Sequence, residues 1–156
     1  EHMASLYLEK SDWVAAEGLA RASLDIRRVQ LREDHPSTIF SLDLLVKALE
    51  AQQKYALAEP LLLEIQQSQH RTLTAGDWRI GDCSSRIGEN LLRQGRVEDA
   101  ETFLRSGYSE LKSSEEPAAA GAASAAAQRL LEYLRTTNKP DEARSLEVEL
   151  AQRSGK

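Results

Sequence analysis

Apolar residues return along this chain at intervals of three and four, and the stretches that carry them are separated by short polar breaks. Leu42, Leu45 and Leu49 fall on one helical face, as do Ile87 with Leu91 and Leu130 with Leu134. Each stretch ends in a break: Gln52-Gln53-Lys54, Gln94-Gly95-Arg96 or Thr137-Asn138-Lys139. A second amphipathic stretch follows, with Leu61, Leu62 and Ile65, or Phe103, Leu104 and Leu111. Apolar stripe, break, apolar stripe describes an antiparallel helical hairpin. The pattern predicts helices over 4–10, 13–32, 37–52, 55–72, 78–94, 97–113, 117–136 and 140–153. Pro36, Pro117 and Pro140 take first-turn positions, where a missing N–H is harmless, and Asp12 and Ser37 are candidate caps. Pro60 lies one turn inside its helix, sharpening the start without breaking it. The alanine-rich run from Ala118 to Ala127 reads as a helix with a thin face, the alternative being a flexible linker.

The hairpins repeat. Trp13-Val14-Ala15-Ala16-Glu17, Tyr55-Ala56-Leu57-Ala58-Glu59, Val97-Glu98-Asp99-Ala100-Glu101 and Pro140-Asp141-Glu142-Ala143-Arg144 line up, and their shared alanines are spaced 42, 42 and 43 residues apart. The small alanine lets the second helix of a hairpin approach the first, while the large residue three positions earlier (Trp13, Tyr55, Val97) covers the turn. These residues resemble the tetratricopeptide repeat (TPR), in its 42-residue variety known from kinesin light chain and many bacterial proteins. Asp34-His35-Pro36 and Lys54-Tyr55-Ala56-Leu57-Ala58-Glu59-Pro60 carry the resemblance in the second repeat. Gly88, Gln94-Gly95-Arg96 and Ala100-Glu101 carry it in the third. It extends from about Leu6 to Gln152 and implies an all-α, right-handed superhelical solenoid of about four hairpins. The expected domain spans 6–153, with repeats near 6–34, 35–76, 77–115 and 116–153. Three departures stand out. Leu44 sits where the subfamily often has asparagine, Asp77-Trp78 replaces the His-Pro opening of repeat three, and Pro117 lies far enough upstream to lengthen repeat four by about one turn. Trp78 reads as a staple over the seam between repeats rather than a binding hot spot. The first repeat is truncated, which leaves Leu6, Tyr7 and Leu8 poorly covered and suggests a C-terminal fragment of a longer protein. The charged last helix (Arg144, Glu147, Glu149, Arg153) is expected to cap the other end.

Composition narrows the function classes. Alanine and leucine dominate 156 residues that are 41% hydrophobic, and only 5% are aromatic, which favours helix over sheet. The net charge of −5 is mixed along the whole length, with no basic stripe to suggest nucleic acid. A single cysteine, Cys83, allows no internal disulfide and fits a reducing, cytoplasmic setting. No apolar run approaches membrane-spanning length. The opening Glu1-His2-Met3-Ala4-Ser5 resembles a cloning remnant or a truncated helix start more than a signal peptide.

Catalytic signals are absent from the sequence. His35 and His70 lack metal-ligand spacing from any cysteine or histidine, and His35 before a proline reads as a loop or capping residue. Cys83 near a helix start has no histidine close in sequence and reads as a small packing residue. No phosphate-binding glycine loop or nucleophile elbow appears, and Glu98-Asp99 and Glu115-Glu116 sit at helix starts, where the helix dipole accounts for them. The expectation is a non-enzyme that needs no cofactor or metal.

The resemblance implies a concave groove lined by the first helix of each hairpin. It would be formed by Phe40, Asp43, Lys47 and Glu50, then Asp82, Ser85, Glu89 and Arg93, then Gln128, Glu132 and Arg135. Both charge signs are present, so the expected occupant is a peptide or helix of mixed charge with a few apolar anchors. The plain alternative for each residue is a solvated helix face. Repeats three and four also resemble the C-terminal repeats of some bacterial serine/threonine kinases and signalling proteins, which implies a module for recruitment within a larger protein. The rival expectation is self-association as a homodimer through the Leu6–Leu8 edge.

Overall fold

A computed structural model describes residues 12–154. The helix expected over 4–10 and the Leu6–Leu8 edge lie outside them. Among the described residues the fold is all-α, with seven helices and no strand. They are α1 (Trp13–Gln30), α2 (Pro36–Ala51), α3 (Tyr55–Thr72), α4 (Trp78–Arg93), α5 (Val97–Ser113), α6 (Ala119–Thr136) and α7 (Pro140–Ser154). The chain divides into two compact units at Asp77 and Trp78, with α1–α3 in the first and α4–α7 in the second.

Helix ends follow local chemistry. Asp12 caps α1, its Oδ1 accepting the Ala15 N–H at 3.2 Å. At α2 the cap is His35 rather than Ser37: Pro36 occupies the first turn, and His35 Nδ1 accepts the Ser37 N–H at 3.1 Å. α3 runs through Pro60 unbroken. Pro117 does not open α6. It sits in a turn closed by Ala119 N–H to Glu116 O at 2.9 Å, so the helix starts at Ala119 and the expected extra turn is taken up by the connection. The alanine-rich run is helical from there on.

The three hairpin turns among the described residues close the same way. Lys54, Arg96 and Lys139 donate their N–H groups to the carbonyls of Leu49, Leu91 and Leu134 at 2.9, 3.0 and 2.8 Å. The residue before each donor is left-handed: Gln53 (φ 59°), Gly95 (φ 78°) and Asn138 (φ 54°). This six-to-one closure satisfies the last helix carbonyls with backbone alone.

In the first unit α2 is packed between α1 and α3 and buries Thr38, Ser41, Leu42, Leu44, Leu45, Val46, Ala48 and Leu49. Each buried leucine is worth roughly 1.5–3 kcal/mol. Leu44, the departure from the subfamily pattern, is one of them. In the second unit α4 and α5 approach until their backbones touch. A Cβ on Gly107 would lie 2.6 Å from the Ser85 amide nitrogen and 2.7 Å from the Gly81 carbonyl, and one on Gly88 would meet Leu104 at 2.6 Å. α6 then packs against both helices of this pair, and α7 against α6. The four shared alanines are all buried.

Successive hairpins are also joined by a repeated ion pair. The glutamate after the shared alanine reaches the basic residue of the next turn: Glu17 to Lys54 at 2.8 Å and Glu101 to Lys139 at 2.7 Å. Lys54, with Gln52 and Arg21, holds the Glu17 carboxyl at about 2, and Lys139, with Tyr133 and Arg105, holds Glu101 at about 2, both below the ordinary 4.5. α7 meets its neighbours largely through charge. Glu142, Glu147 and Glu149 pair with Arg105, Arg135 and Lys112 at 2.6, 2.7 and 2.7 Å, while Ala143 and Leu146 are its buried apolar residues. The acids of this last helix thus face back onto α5 and α6.

Two predictions follow from these contacts. Gly107→Ala should destabilise by about 1–3 kcal/mol, because the new methyl meets backbone that no rotamer change can move. Gly18→Ala and Gly121→Ala, which meet nothing within 4 Å, should each stabilise by up to about 1 kcal/mol. Urea unfolding of the three variants separates these signs. The second concerns acid. Because Glu17 and Glu101 ionise at about 2 when folded and near 4.5 when unfolded, their stabilisation is complete above pH 4.5 and is lost as pH falls towards 2. The Glu17→Gln, Glu101→Gln double variant should lose stability at neutral pH and flatten the profile across that window. Parallel profiles for variant and parent would count against the assignment.

Candidate functional site

The second unit brings five of the eleven sequence-derived groove residues together on one face. Asp82, Ser85, Glu89 and Arg93 recur along α4 at helical spacing, and α6 lies beside them. Arg93 makes a two-pronged contact with Glu132, Nη1 to Oε1 at 2.8 Å and Nη2 to Oε2 at 3.1 Å, and lies 3.7 Å from Glu89. The centre of the face is a residue that the sequence reading passed over. Arg129 donates from Nε to Glu89 Oε2 at 2.5 Å and from Nη1 to Ser85 Oγ at 3.3 Å, with Asp82 Oδ1 at 3.7 Å. A signal for it was present: Arg129 follows Arg86 by 43 residues, the interval that separates Ala143 from Ala100.

The result is a ladder of alternating charge across α4 and α6: Asp82, Arg129, Glu89, Arg93, Glu132. Its inner end is sheltered, with the Arg129 side chain 19% exposed and Ser85 fully buried. Its outer end is open, with Arg93 and Glu132 at 42% and 43%. A buried hydroxyl, a sheltered guanidinium and an open ion pair offer paired charges, and a partner must exchange with them rather than meet bare ones.

The remaining predicted residues fall elsewhere. Gln128 is exposed and faces away from the ladder, lining an open cleft of about 770 Å³ with Lys112, Ser124, Leu131 and Arg153. Arg135 pairs with Glu147 of α7. In the first unit, Asp43 and Lys47 pair along α2 at 2.7 Å, Phe40 is 43% exposed and Glu50 is half-buried.

The other chemistry-bearing groups have structural surroundings. His35 is the α2 cap, and Cys83 is buried in α4. Burial, with Glu149 alongside, pushes the Tyr108 hydroxyl up to about 12, and it donates to Glu149 at 2.9 Å. Lys112 in turn draws the Glu149 carboxyl below its usual range. Among the described residues no group of three or more His, Cys, Asp or Glu side chains is placed to hold a metal ion, and no helix is long and apolar enough to cross a membrane.

The two ends of the ladder should differ in energy. A double-mutant cycle on Arg129→Ala and Glu89→Ala is expected to give a coupling of about 1–2 kcal/mol, because hydrogen bonds to charged groups strengthen out of water. The same cycle on Arg93 and Glu132 should give about 0.5 kcal/mol or less and vanish in high salt. Equal couplings would mean that the shelter of Arg129 has no energetic effect.

No family model matches this sequence, and no curated protein matches it. Solved structures do. The TPR-like repeats of a kinesin-light-chain-type protein from Podosopora anserina, described as nearly identical repeats, superpose with a TM-score of 0.82 at 20% identity, over 99% of this chain and 72% of that one. A point variant of the same protein gives 0.83 at the same identity and coverage. The fold is therefore that of a TPR-like helical repeat.

Proposed function

We propose that this chain is a non-catalytic protein-interaction scaffold that holds a peptide or helix of a partner protein against the first helices of its hairpins. The observation that carries the reading is the charged ladder on α4 and α6, where five residues from two consecutive hairpins form one surface that opens to solvent at Arg93 and Glu132. On a TPR-like fold such a face is continuous and rigid, so several weak contacts add along a bound segment. The occupant carries both charge signs, to replace the pairs it displaces. In the first unit, Phe40 offers an apolar contact beside the Asp43–Lys47 pair.

The setting that fits is a module of a larger bacterial protein in the reducing cytoplasm, recruiting a substrate or fixing a location. The lone buried thiol and the resemblance to repeats of bacterial signalling proteins support it.

The test is affinity capture from lysate of the source organism, followed by binding assays with the captured segment. The parent chain is compared with an Arg93→Glu, Glu132→Arg variant, which keeps the ion pair but reverses its direction, and with Lys47→Glu. The reversed pair is expected to weaken binding at least tenfold while circular dichroism stays unchanged. Partners retained equally by parent and variants would remove the ladder as the working surface.

A further inference from the structure

The trough on α5 and α6 that α7 covers is apolar at its floor and basic at its rim. Tyr108 of α5 with Leu130 and Leu134 of α6 make the floor. Arg105, Lys112 and Arg135 make the rim, each paired with one glutamate of α7. All six side chains of these pairs stay at least a third exposed, so water and salt reach them. Further bonds to α5 are polar as well: the Tyr108 hydroxyl donates to Glu149, and Arg153 donates to the Lys112 carbonyl. Apolar burial adds little. Ala143 and Leu146 are the buried apolar residues of α7, whereas α5 buries Ala100, Leu104, Tyr108 and Leu111. A gap of about 300 Å³ remains beneath α7, with Ser145 and Leu146 on one side and the floor residues on the other. The firm tether is the turn before the helix. There Lys139 is bonded to Leu134 through its backbone and to Glu101 through its side chain.

We infer that α7 is a strap that leaves this trough by local opening, and that an amphipathic helix of a partner protein, with acids flanking its apolar face, takes its place. Local stability follows buried apolar contact, and α7 has the least of it among the helices of its unit. The charges name the occupant. A vacated trough presents three cations around an apolar floor. A helix answers them with carboxylates placed as Glu142, Glu147 and Glu149 are, and with an aliphatic side chain at the place of Leu146. The mode is that of a helix laid into a groove. Tethering sets the threshold. A helix joined through so short a turn faces its own trough at an effective concentration on the order of millimolar. A partner therefore enters only where it binds better than α7 or where the pairs of α7 are weakened. The strap rests on the fold and not on the α4–α6 ladder, and the two are tested separately.

Amide hydrogen exchange on the full chain reads the strap. As salt rises from about 0.05 to about 0.5 M, α7 amides should exchange at least tenfold faster while those of α4 and α5 hold. The Glu142→Gln, Glu147→Gln, Glu149→Gln variant should show the same release at low salt. A labelled peptide of residues 138–154, with its three glutamates intact, then probes the vacated trough by fluorescence anisotropy. It should bind the triple variant at least tenfold more tightly than the parent, and its own triple-glutamine form should bind neither. If α7 stays as protected as α5, both in salt and in the variant, the strap is overturned. Loss of protection throughout α4–α7 in the variant overturns it too, because α7 would then belong to the core. Release of α7 without capture of the peptide overturns the acidic helix as occupant.

Discussion

Two helices can be stacked into a repeat only if they first come close enough to act as one body, and here that distance is set by residues that lack a side chain or nearly so. Ala16, Ala58, Ala100 and Ala143 are buried in their respective helices. In the second unit the approach goes further, to direct backbone contact of Gly107 with Gly81 and Ser85. Everything on the α4–α6 face inherits its geometry from this contact. Ser85 is held against α5 by its backbone, so its hydroxyl stands at a fixed point beneath Arg129. Arg129 in turn fixes Glu89, and the rungs beyond Glu89 become progressively wetter. A site built on helices locked in this way keeps its shape without a ligand.

The hairpins differ in how they hold their neighbours. α2 is surrounded by leucine and valine, so its position in the first unit is secured by apolar area. α7 buries little and is fastened by pairs from Glu142, Glu147 and Glu149 to cations on α5 and α6. Exposed pairs of this kind contribute little each, and salt screens them. The last helix is therefore the least firmly held part of the second unit.

Most of the helical framework was legible in the sequence. Apolar period, polar break and recurring alanine place each end of the seven described helices within two residues, because local propensity and repeat agree. What escaped the sequence depends on how facing helices are rotated. Gln128 and Arg129 are neighbours, and only the packing of α6 on α4 decides that the second enters the ladder and the first looks into a cleft. The same holds for Arg135, whose fate is set by α7. Gly81 and Gly107 gave no periodic signal, since a glycine in a helix reads as a weakness until its partner is known. Proline misled once: Pro117 has the chemistry of a helix start, yet a preceding turn absorbed it.

The turns at Gln53, Gly95 and Asn138 have an implication for how such a chain grows. Their closing bonds run from backbone to backbone, and the only demand on sequence is a residue that tolerates positive φ. A hairpin closed this way brings its own ending with it. Copied in tandem, it closes its own turn and requires no matched change elsewhere for that closure. Gene duplication could then lengthen the array one hairpin at a time, while the faces between hairpins diverge. The three unlike residues now at those turns show how far apart copies can drift while the closure stays the same.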